Sequence, residues 1–410
     1  MNFIYLIYLF SGMLKSVLMY YGINLPVDLT AVLAFILILD VFWNVIGAIS
    51  GKKMYLPALV ALGSLLLFFL WMTIGLFYTP SETYSSQKVI YFITNILAFA
   101  YPIFHKRIKL VQFLRYFVFA VLVLSFWYMP ILIYYLRHPE LQGVDSPIRD
   151  VVSMYLGVGL LQGVSILLLL QNKHFFSLIL RILLSVFFFA CILLSGARAP
   201  AFFVFLMLIV FASIKLINYM KFGKVFYKGR LHRLILIVFI TGILGIGVGL
   251  AFSSQLSVLA HRSFVRISLL FDNEYKGESV DKRVEQIDFS LEMISHSTEK
   301  FFIGYGIGSF GVLESGEDSR AYPHNFVLEI LFEMGIVGLF LFLFFIFVVF
   351  VKPHLGYKKN LIPAYIFVFF LLNYAKSSSI IDMRILYAFL SLYLIQSQLK
   401  ITELSENYDS

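Results

Sequence analysis

Charged residues are scarce in this 410-residue chain, which limits what the protein can be. Asp, Glu, Lys and Arg make up 13% of the residues, against 60% hydrophobic and 18% aromatic residues. Soluble domains are about one quarter charged, so a water-soluble globule is excluded. Lys and Arg outnumber Asp and Glu by 32 to 23. Because no compact patch of basic and aromatic residues accompanies this excess, we expect no nucleic-acid partner.

Cysteine is almost absent. Cys191, inside an apolar run, is the only cysteine, which excludes a disulfide within the chain, a thiolate zinc site and an iron–sulfur site. The first residues, MNFIYLIYLFSGMLKSVLMYY, lack the basic start and the small-residue cleavage site of a secretory signal. We expect this segment to be retained as a first membrane span.

Long apolar runs are abundant. They predict an all-α polytopic membrane protein with about 12 transmembrane helices of roughly 20 residues each. The predicted spans are residues 3–20, 29–49, 55–77, 88–104, 111–135, 152–170, 175–195, 199–217, 234–252, 325–350, 361–375 and 384–398.

The loops between these spans alternate in charge. Basic residues are concentrated in every second loop: Lys52 and Lys53, residues 105–109, Lys173, residues 221–233 and residues 352–359. Loops rich in Lys and Arg stay in the cytoplasm. The pattern therefore places both termini inside and loops such as TPSETYSSQ outside.

One outer connection is much longer than the others. Residues 253–323 divide the chain into helices 1–9 (residues 1–252), a large extracytoplasmic loop, helices 10–12 (residues 324–400) and a cytoplasmic tail (residues 401–410). Within the loop, SVDKRVEQIDFSLEMISHS predicts an amphipathic helix. Its predicted apolar stripe consists of Val284, Ile287, Leu291 and Ile294.

Several side chains at or near the predicted outer surface suit an anionic substrate: Arg198, Arg283, Arg320 and His324. Guanidinium groups bind phosphate oxygens in pairs and keep their charge when desolvated, which fits a lipid headgroup and above all a pyrophosphate. His324 titrates near neutral pH and is able to take a proton from an attacking hydroxyl. Simpler interpretations remain open, namely a headgroup contact for Arg198 and a solvated helix face for Arg283.

Two further arginines precede the amphipathic helix. Arg262 and Arg266 are four residues apart in SVLAHRSFVRISLLF, hence on one helical face. They fit phospholipid contacts or a solvated face as well as a role in substrate binding.

The entrance to the tenth span, YPHNFVLEILFEMGIVG, carries ionisable groups that an ordinary span lacks. Ionisable residues at membrane depth are costly and usually mark a site. Glu329 and Glu333 share one helical face, and we expect them to pair with arginines. Alternatively, the two glutamates orient His324, or they are simply stabilised by the positive end of the helix.

A glycine-rich stretch, IGYGIGSF, precedes this entrance. Gly304, Gly306 and Gly308 superficially suggest a phosphate-binding loop, but no strand precedes them and no Lys-Ser/Thr follows. We therefore expect a flexible turn close to the substrate.

Three segments resemble the O-antigen polymerase and O-antigen ligase superfamily of bacterial envelope enzymes. His324-Asn325, nine further residues and then Gly335-Ile336-Val337-Gly338 match the ligase-type pattern of His, Asn/Ser/Gln, nine of anything, Gly, two of anything, Gly/Thr/Tyr. LLSGARAPAFF is similar to the family's Ser-Gly-Ser-Arg-Gly segment, with Arg198 at the arginine. DKRVEQIDFSLEMISHSTEKFFIGYGIGSF resembles the family's arginine, short helix and glycine-rich turn, with Arg283 at the arginine.

The resemblance implies a glycosyltransferase of GT-C type in the bacterial inner membrane, without a metal or other cofactor. Its donor is a glycan on undecaprenyl pyrophosphate, its site faces the periplasm, and its partners include membrane lipids, a flippase and a chain-length regulator. Arg198 and Arg283 are implied to hold the pyrophosphate and His324 to position or deprotonate the acceptor hydroxyl. We count Arg320, Asn325, Arg262, Arg266 and Glu329 among the substrate-binding candidates.

Three functions remain open from the sequence. A polymerase adds the glycan to another lipid-linked repeat unit, whereas a ligase adds it to the lipid A core. The likeness of LLSGARAPAFF to polymerase-type segments, together with the single large outer loop, favours the polymerase. A flippase or transporter fits less well, because transporters carry repeats and mid-membrane charges.

Overall fold

The computed structural model describes residues 2–49, 56–105, 108–138, 147–172, 175–222, 278–351 and 361–406. All regular secondary structure in these ranges is helical. In chain order the helices are α1 (Asn2–Tyr20), α2 (Leu29–Ile49), α3 (Leu56–Ile74), α4 (Tyr84–Phe104), α5 (Leu110–Arg137), α6 (Pro147–Ser153), α7 (Tyr155–Gln171), α8 (Leu178–Leu194), α9 (Arg198–Phe222), α10 (Glu278–His296), α11 (Thr298–Ile303), α12 (Ser309–Ser315), α13 (Phe326–Val351), α14 (Ala364–Ser377) and α15 (Arg384–Glu406). Short 3₁₀ turns follow α3 (Gly75–Phe77) and precede α15 (Ile380–Asp382).

The helices agree with the predicted spans in position. In the described ranges, α1 to α5 and α13 are long and apolar enough to cross a membrane, and shorter apolar helices lie in α7, α8, α9, α14 and α15. Every predicted span except residues 234–252, which lie outside the described ranges, overlaps one of these helices. The all-helical class is confirmed for the described part, whereas the number of spans stays a prediction.

The bundle has an apolar interior and an apolar exterior. Phe92 of α4 packs in the interior against Phe68 of α3 and Tyr387 of α15, at ring-centroid distances of 5.6 and 5.7 Å. On α2, by contrast, Phe35 is 61% exposed and Trp43 is 71% exposed. On a soluble protein, large exposed apolar surfaces of this kind mark a site of interaction with another protein or a membrane. On a long apolar helix they indicate contact with lipid.

The described part of the large loop packs on the start of α13 through a second, small apolar cluster. Its buried members are Ile294, Phe310, Leu328 and Phe332. The predicted stripe on α10 is half correct: Ile287 and Ile294 face this cluster, whereas Val284 and Leu291 are 49% and 51% exposed. The buried face is rotated relative to the predicted stripe because it includes Gln286 and Ser290. The Gln286 amide donates to Glu314, and the Ser290 hydroxyl donates to the α10 backbone.

The helix α13 is broken at Gly335, where φ is 65° and ψ is −171°. A break of this kind deprives the preceding carbonyl groups of their helical partners. The carbonyls of residues 332 and 333 accept hydrogen bonds instead from the N–H groups of Tyr305 (2.9 Å) and Gly306 (3.0 Å), respectively. The carbonyl of residue 334 accepts one from the Trp71 Nε1–H at 2.9 Å. The glycine-rich stretch thus fills the gap that the break opens.

Glycine is required on both sides of this contact. A Cβ on Gly335 would lie 2.2 Å from the Phe302 carbonyl oxygen, and one on Gly304, whose φ is +81°, would lie 2.3 Å from the α13 backbone. Gly304, Gly306 and Gly308 are all buried. The expectation of a flexible turn is therefore wrong: the stretch is a fixed wedge, because only residues without side chains let two backbones approach this closely.

Replacing Gly335 with alanine is expected to destabilise the protein by at least about 2 kcal/mol, since this backbone region is accessible essentially to glycine alone. Gly63→Ala is the matched control, because Gly63 is in α3 and no atom lies within 4 Å of the added Cβ. Thermal unfolding of the purified variants in detergent measures both. Equal melting temperatures for Gly335→Ala and the parent would contradict a fixed break.

Candidate functional site

Two segments that the charge pattern places outside are joined in the structure. The Asp318 carboxylate of the large loop accepts hydrogen bonds from the N–H groups of Thr83 (2.7 Å) and Glu82 (3.0 Å) and from the Ser81 hydroxyl (2.6 Å). These bonds anchor the α3–α4 connection to the loop at the start of α4. Both segments therefore lie at the same end of the bundle, as the predicted topology requires.

His324 is held at that end in an unusual conformation. Among the non-glycine residues in the described ranges, His324 alone has a positive φ, of 52°. The imidazole lies 4.7 Å from the Tyr322 ring, and within the described structure its buried Nδ1 has no hydrogen-bond partner. Backbone strain of this kind is concentrated at functional sites, where the surrounding structure maintains it.

The surroundings of His324 favour its neutral form. Burial lowers the pKa of the imidazole, and the positive charges of Arg283 and Lys282 lower it further, while Glu329 opposes them. At neutral pH the ring is therefore uncharged and one of its nitrogens has a free lone pair. That is the state in which an imidazole accepts a proton.

Cations from three helices are close enough to act on one another, and those of α10 also act on His324. Arg283, in the first turns of α10, is near enough for its charge to act on both His324 and Lys376, at the end of α14. Arg198, at the start of α9, also interacts electrostatically with Lys376. Arg283 is thus near His324, and Arg283 and Arg198 are both near Lys376, although these residues are far apart in sequence.

A tight turn sets the position of Arg198. Gly196 has a φ of 72°, and its carbonyl accepts the Arg198 N–H at 2.9 Å. The turn lets α9 begin directly at Arg198, with the side chain half-buried at the end of the helix. A positive φ in a tight turn favours glycine, which explains the Gly-Ala-Arg order.

Two other predicted substrate-binding residues bind protein groups. The Arg320 guanidinium donates to the Asp382 carboxylate at 2.6 Å. The Asn325 Oδ1 accepts the N–H groups of Val327 (2.9 Å) and Leu328 (3.2 Å) and so caps α13. A helix cap accounts for the Asn of the His-Asn pair without any contact to substrate.

Glu329 does not pair with an arginine, and that prediction is wrong. Its carboxylate binds Lys88, the Ser379 hydroxyl and the Ile380 N–H. The side chain is 0% exposed, so a substrate has no access to it in this structure. Arg262 and Arg266 lie outside the described residues.

A cavity of about 570 Å³ adjoins the cationic region. Arg320 and Tyr322 form one edge, and Ala199 and Pro200, directly after Arg198, form another. The remaining walls combine hydroxyl groups with apolar side chains of α1, α7 and α15. A wall of mixed character suits an amphiphilic ligand with sugar and lipid parts.

The charged groups around His324 bear on the kind of ligand that this region can hold. Across these ranges, no group of three or more His, Cys, Asp or Glu side chains is placed to hold a metal ion. The side chains that converge near His324 are cationic and suit phosphate oxygens.

Sequence reasoning overlooked Lys88, Lys376 and Asp382. A signal for the last two was present, because KSSSIID interrupts two apolar runs with polar residues at the predicted outer side. Lys88 had a weaker signal: it was assigned to the very start of a span, and its partners lie 241 and 245 residues away. Sequence spacing does not reveal such a contact.

Comparison with known families places this site in context. Residues 183–343 match the family model described as O-antigen ligase, and the match contains Arg198, Arg283 and His324. A search of curated proteins found no match to the chain. Together with the apolar helices, the family match indicates an integral membrane protein. The resemblance predicted from the three motifs is confirmed over residues 183–343, where the chain is similar to the O-antigen ligase family.

Proposed function

We propose that this protein is an O-antigen polymerase that joins lipid-linked oligosaccharide repeat units at the outer face of the bacterial inner membrane. The observation that carries the proposal is the proximity of Arg283 to neutral His324, and of Arg198 and Arg283 to Lys376, at one end of an apolar bundle. A cationic site beside an amphiphilic cavity favours a substrate with an anionic head, a sugar and a lipid tail.

The proposed reaction is an inverting glycosyl transfer. The acceptor hydroxyl oxygen attacks the anomeric carbon of the donor, and the bond from that carbon to undecaprenyl pyrophosphate breaks. Neutral His324 takes the hydroxyl proton. Arg198 and Arg283 hold the pyrophosphate and stabilise the negative charge that it gains on leaving. Because pyrophosphate is a good leaving group, correct placement of the two substrates supplies much of the rate.

An O-antigen ligase is the second candidate. The description of the matching family favours it, and its acceptor would be the lipid A core. The polymerase is supported by the likeness of LLSGARAPAFF to polymerase-type segments and by the single large outer loop. The proposal further includes cytoplasmic termini, a flippase that delivers the donor, and a chain-length regulator.

Deletion of the gene in its native host is expected to reduce the surface polysaccharide to core plus one repeat unit. Electrophoresis of the polysaccharide measures this. Wild type should restore the ladder, whereas His324→Ala and Arg198→Ala should not, at equal protein amounts in the membrane. Loss of every capped band with accumulation of long lipid-linked chains would instead identify a ligase. An unchanged ladder after deletion would contradict both functions.

A further inference from the structure

Three ionisable side chains are buried together between α4 and α13. Lys88 Nζ donates to Glu329 Oε1 at 2.5 Å and to the two oxygens of Glu333 at 2.7 and 2.8 Å. Each side chain of this triad is 0% exposed. Ionisable groups in the interior of a membrane bundle are costly, and those that occur usually serve a function. The catalytic scheme proposed above uses none of the three.

Glu329 differs from Glu333 in its other contacts. Its Oε1 also accepts the Ser379 hydroxyl (2.6 Å), and its Oε2 accepts the Ile380 N–H (2.8 Å). From α4, Asn95 Nδ2 donates to the Ile380 carbonyl at 2.9 Å. The connection between α14 and α15 is thus fixed from two helices, and Ser379 and Ile380 are both 0% exposed.

Polar groups of the proposed site lie in this connection and directly before it. Lys376, which interacts with Arg198 and Arg283, lies three residues before Ser379. Asp382, two residues after Ile380, accepts a hydrogen bond from Arg320 at 2.6 Å. A displacement of Ser379 and Ile380 would therefore move groups on both sides of the site.

We propose that Lys88 and Glu329 are positioning residues for the glycosyl-transfer site, and the inference rests on the proposed function. Lys88 holds the Glu329 carboxylate in place, and the carboxylate in turn fixes Ser379 and Ile380. Through them it sets the positions of Lys376 and of the Arg320–Asp382 pair. Neither residue contacts the substrate; both act through the connection that they hold.

Glu333 provides a matched control, because it shares the charge, the burial and the lysine but does not bind the connection. Either Glu→Gln change leaves Lys88 with one carboxylate, so the charge of the triad changes equally. In Glu329→Gln, however, each orientation of the amide points an N–H at another donor, either Lys88 or Ile380. Unpaired buried donors carry the full desolvation penalty. In Glu333→Gln an amide N–H also faces a donor, Lys88 or the Gly308 N–H, but neither of these groups belongs to the connection.

The test uses a cysteine probe in full-length protein. Cys191→Ala removes the one native thiol, and Ser378→Cys adds a new one in the half-buried residue before Ser379, on the cavity wall. The reaction rate with a membrane-impermeant maleimide then reports how firmly the connection is held. Polymerisation by the same preparations is measured with lipid-linked repeat units extracted from the host.

Glu329→Gln is expected to raise the labelling rate about tenfold, as for loss of a hydrogen bond to a charged group. It should lower kcat about 100-fold, the effect of a displacement near 1 Å, with a smaller change in KM. Glu333→Gln should leave both within about twofold of the parent, since it removes no contact to the connection. Lys88→Arg should retain more of the parent's activity than Lys88→Met, because it keeps a cation for Glu329.

Two results would overturn the inference. Equal losses of activity from both Glu→Gln variants, with unchanged labelling, would mean that the triad serves stability alone. Parent-like labelling and kcat in Glu329→Gln would mean that the carboxylate does not hold the connection in place. If the parent makes no polymer, the proposed function fails separately, and a labelling difference between the two variants would still support the fixing of the connection by Glu329.

Discussion

Replacing His324 with alanine is expected to lower the rate of polymerisation about 10²- to 10⁴-fold, the contribution of a well-placed general base. The site offers the reason: a half-buried, uncharged imidazole lies near Arg283, which is proposed to bind pyrophosphate. Initial rates in membranes supplied with the host's lipid-linked repeat unit measure the effect. His324→Asn is a second variant, because Asn tolerates a positive φ but lacks the imidazole, so backbone strain is excluded as the cause.

The control for this prediction is His296→Ala. His296 ends α10 in the same loop, but its side chain is 66% exposed, with its Nε2 3.4 Å from the Glu292 carboxylate. We expect parent-like rates for this variant. Comparable losses at both histidines would point to the loop as a whole and would contradict a specific role for His324.

The same site predicts a pH dependence. Because the neutral imidazole is the active form and its pKa is lowered, activity should be constant near neutral pH and fall only when the pH drops below that lowered pKa. Lys282 is one of the cations that lower it. Lys282→Gln should therefore raise the pKa of His324 and shift the acidic limb of the profile to higher pH. A shift to lower pH, or none, would contradict the electrostatic explanation.

Much of the fold is predictable from hydropathy, because a bilayer requires apolar runs of a certain length. The ends of the helices are less predictable. The fourth span was expected to begin at residue 88, whereas α4 begins at Tyr84. Asp318, some 234 to 236 residues away, binds the backbone N–H groups at this helix start. No local pattern in TPSETYSSQ could reveal that partner.

The candidate site shows a similar division. The types of residue needed for anion binding and proton transfer led to the prediction of Arg198, Arg283 and His324, and the structure places Arg283 near His324 and both arginines near Lys376. The same reasoning treated Glu329 as open to substrate, but its carboxylate is buried against a distant partner, Lys88. It also did not reveal that Arg320, at the cavity edge, is paired with Asp382. Partners of this kind follow from the packing of helices, which one sequence does not contain.

The glycine-rich stretch shows why composition alone was misleading. Glycine permits flexibility, but it equally permits close approach of two backbones. At Gly304 and Gly335 the second property decides, since the freed carbonyls of α13 need hydrogen-bond donors. This contact also joins the loop that carries Arg283 to the helix that follows His324. The glycines of the two motifs therefore have one shared structural role.

Replacing Arg283 with alanine is expected to lower the rate about 10²- to 10³-fold, as for the loss of one group that stabilises the charge of a transition state. Arg283→Lys should recover only part of this loss, because an ammonium is a point charge and does not bind two phosphate oxygens side by side. Arg137→Ala is the control, since Arg137 is an exposed arginine at the predicted outer end of α5. It should retain the parent rate.

The pH profile separates the two roles of Arg283. Its positive charge lowers the pKa of His324, so Arg283→Ala should also move the acidic limb to higher pH, whereas Arg283→Lys should leave the limb in place. The alanine variant then has a lower rate and a shifted limb, and the lysine variant has a lower rate alone. A normal ladder from Arg283→Ala at a normal protein amount would contradict its proposed part in pyrophosphate binding. An equal shift in both variants would contradict the charge effect, because lysine preserves the charge and only the shape of the group changes.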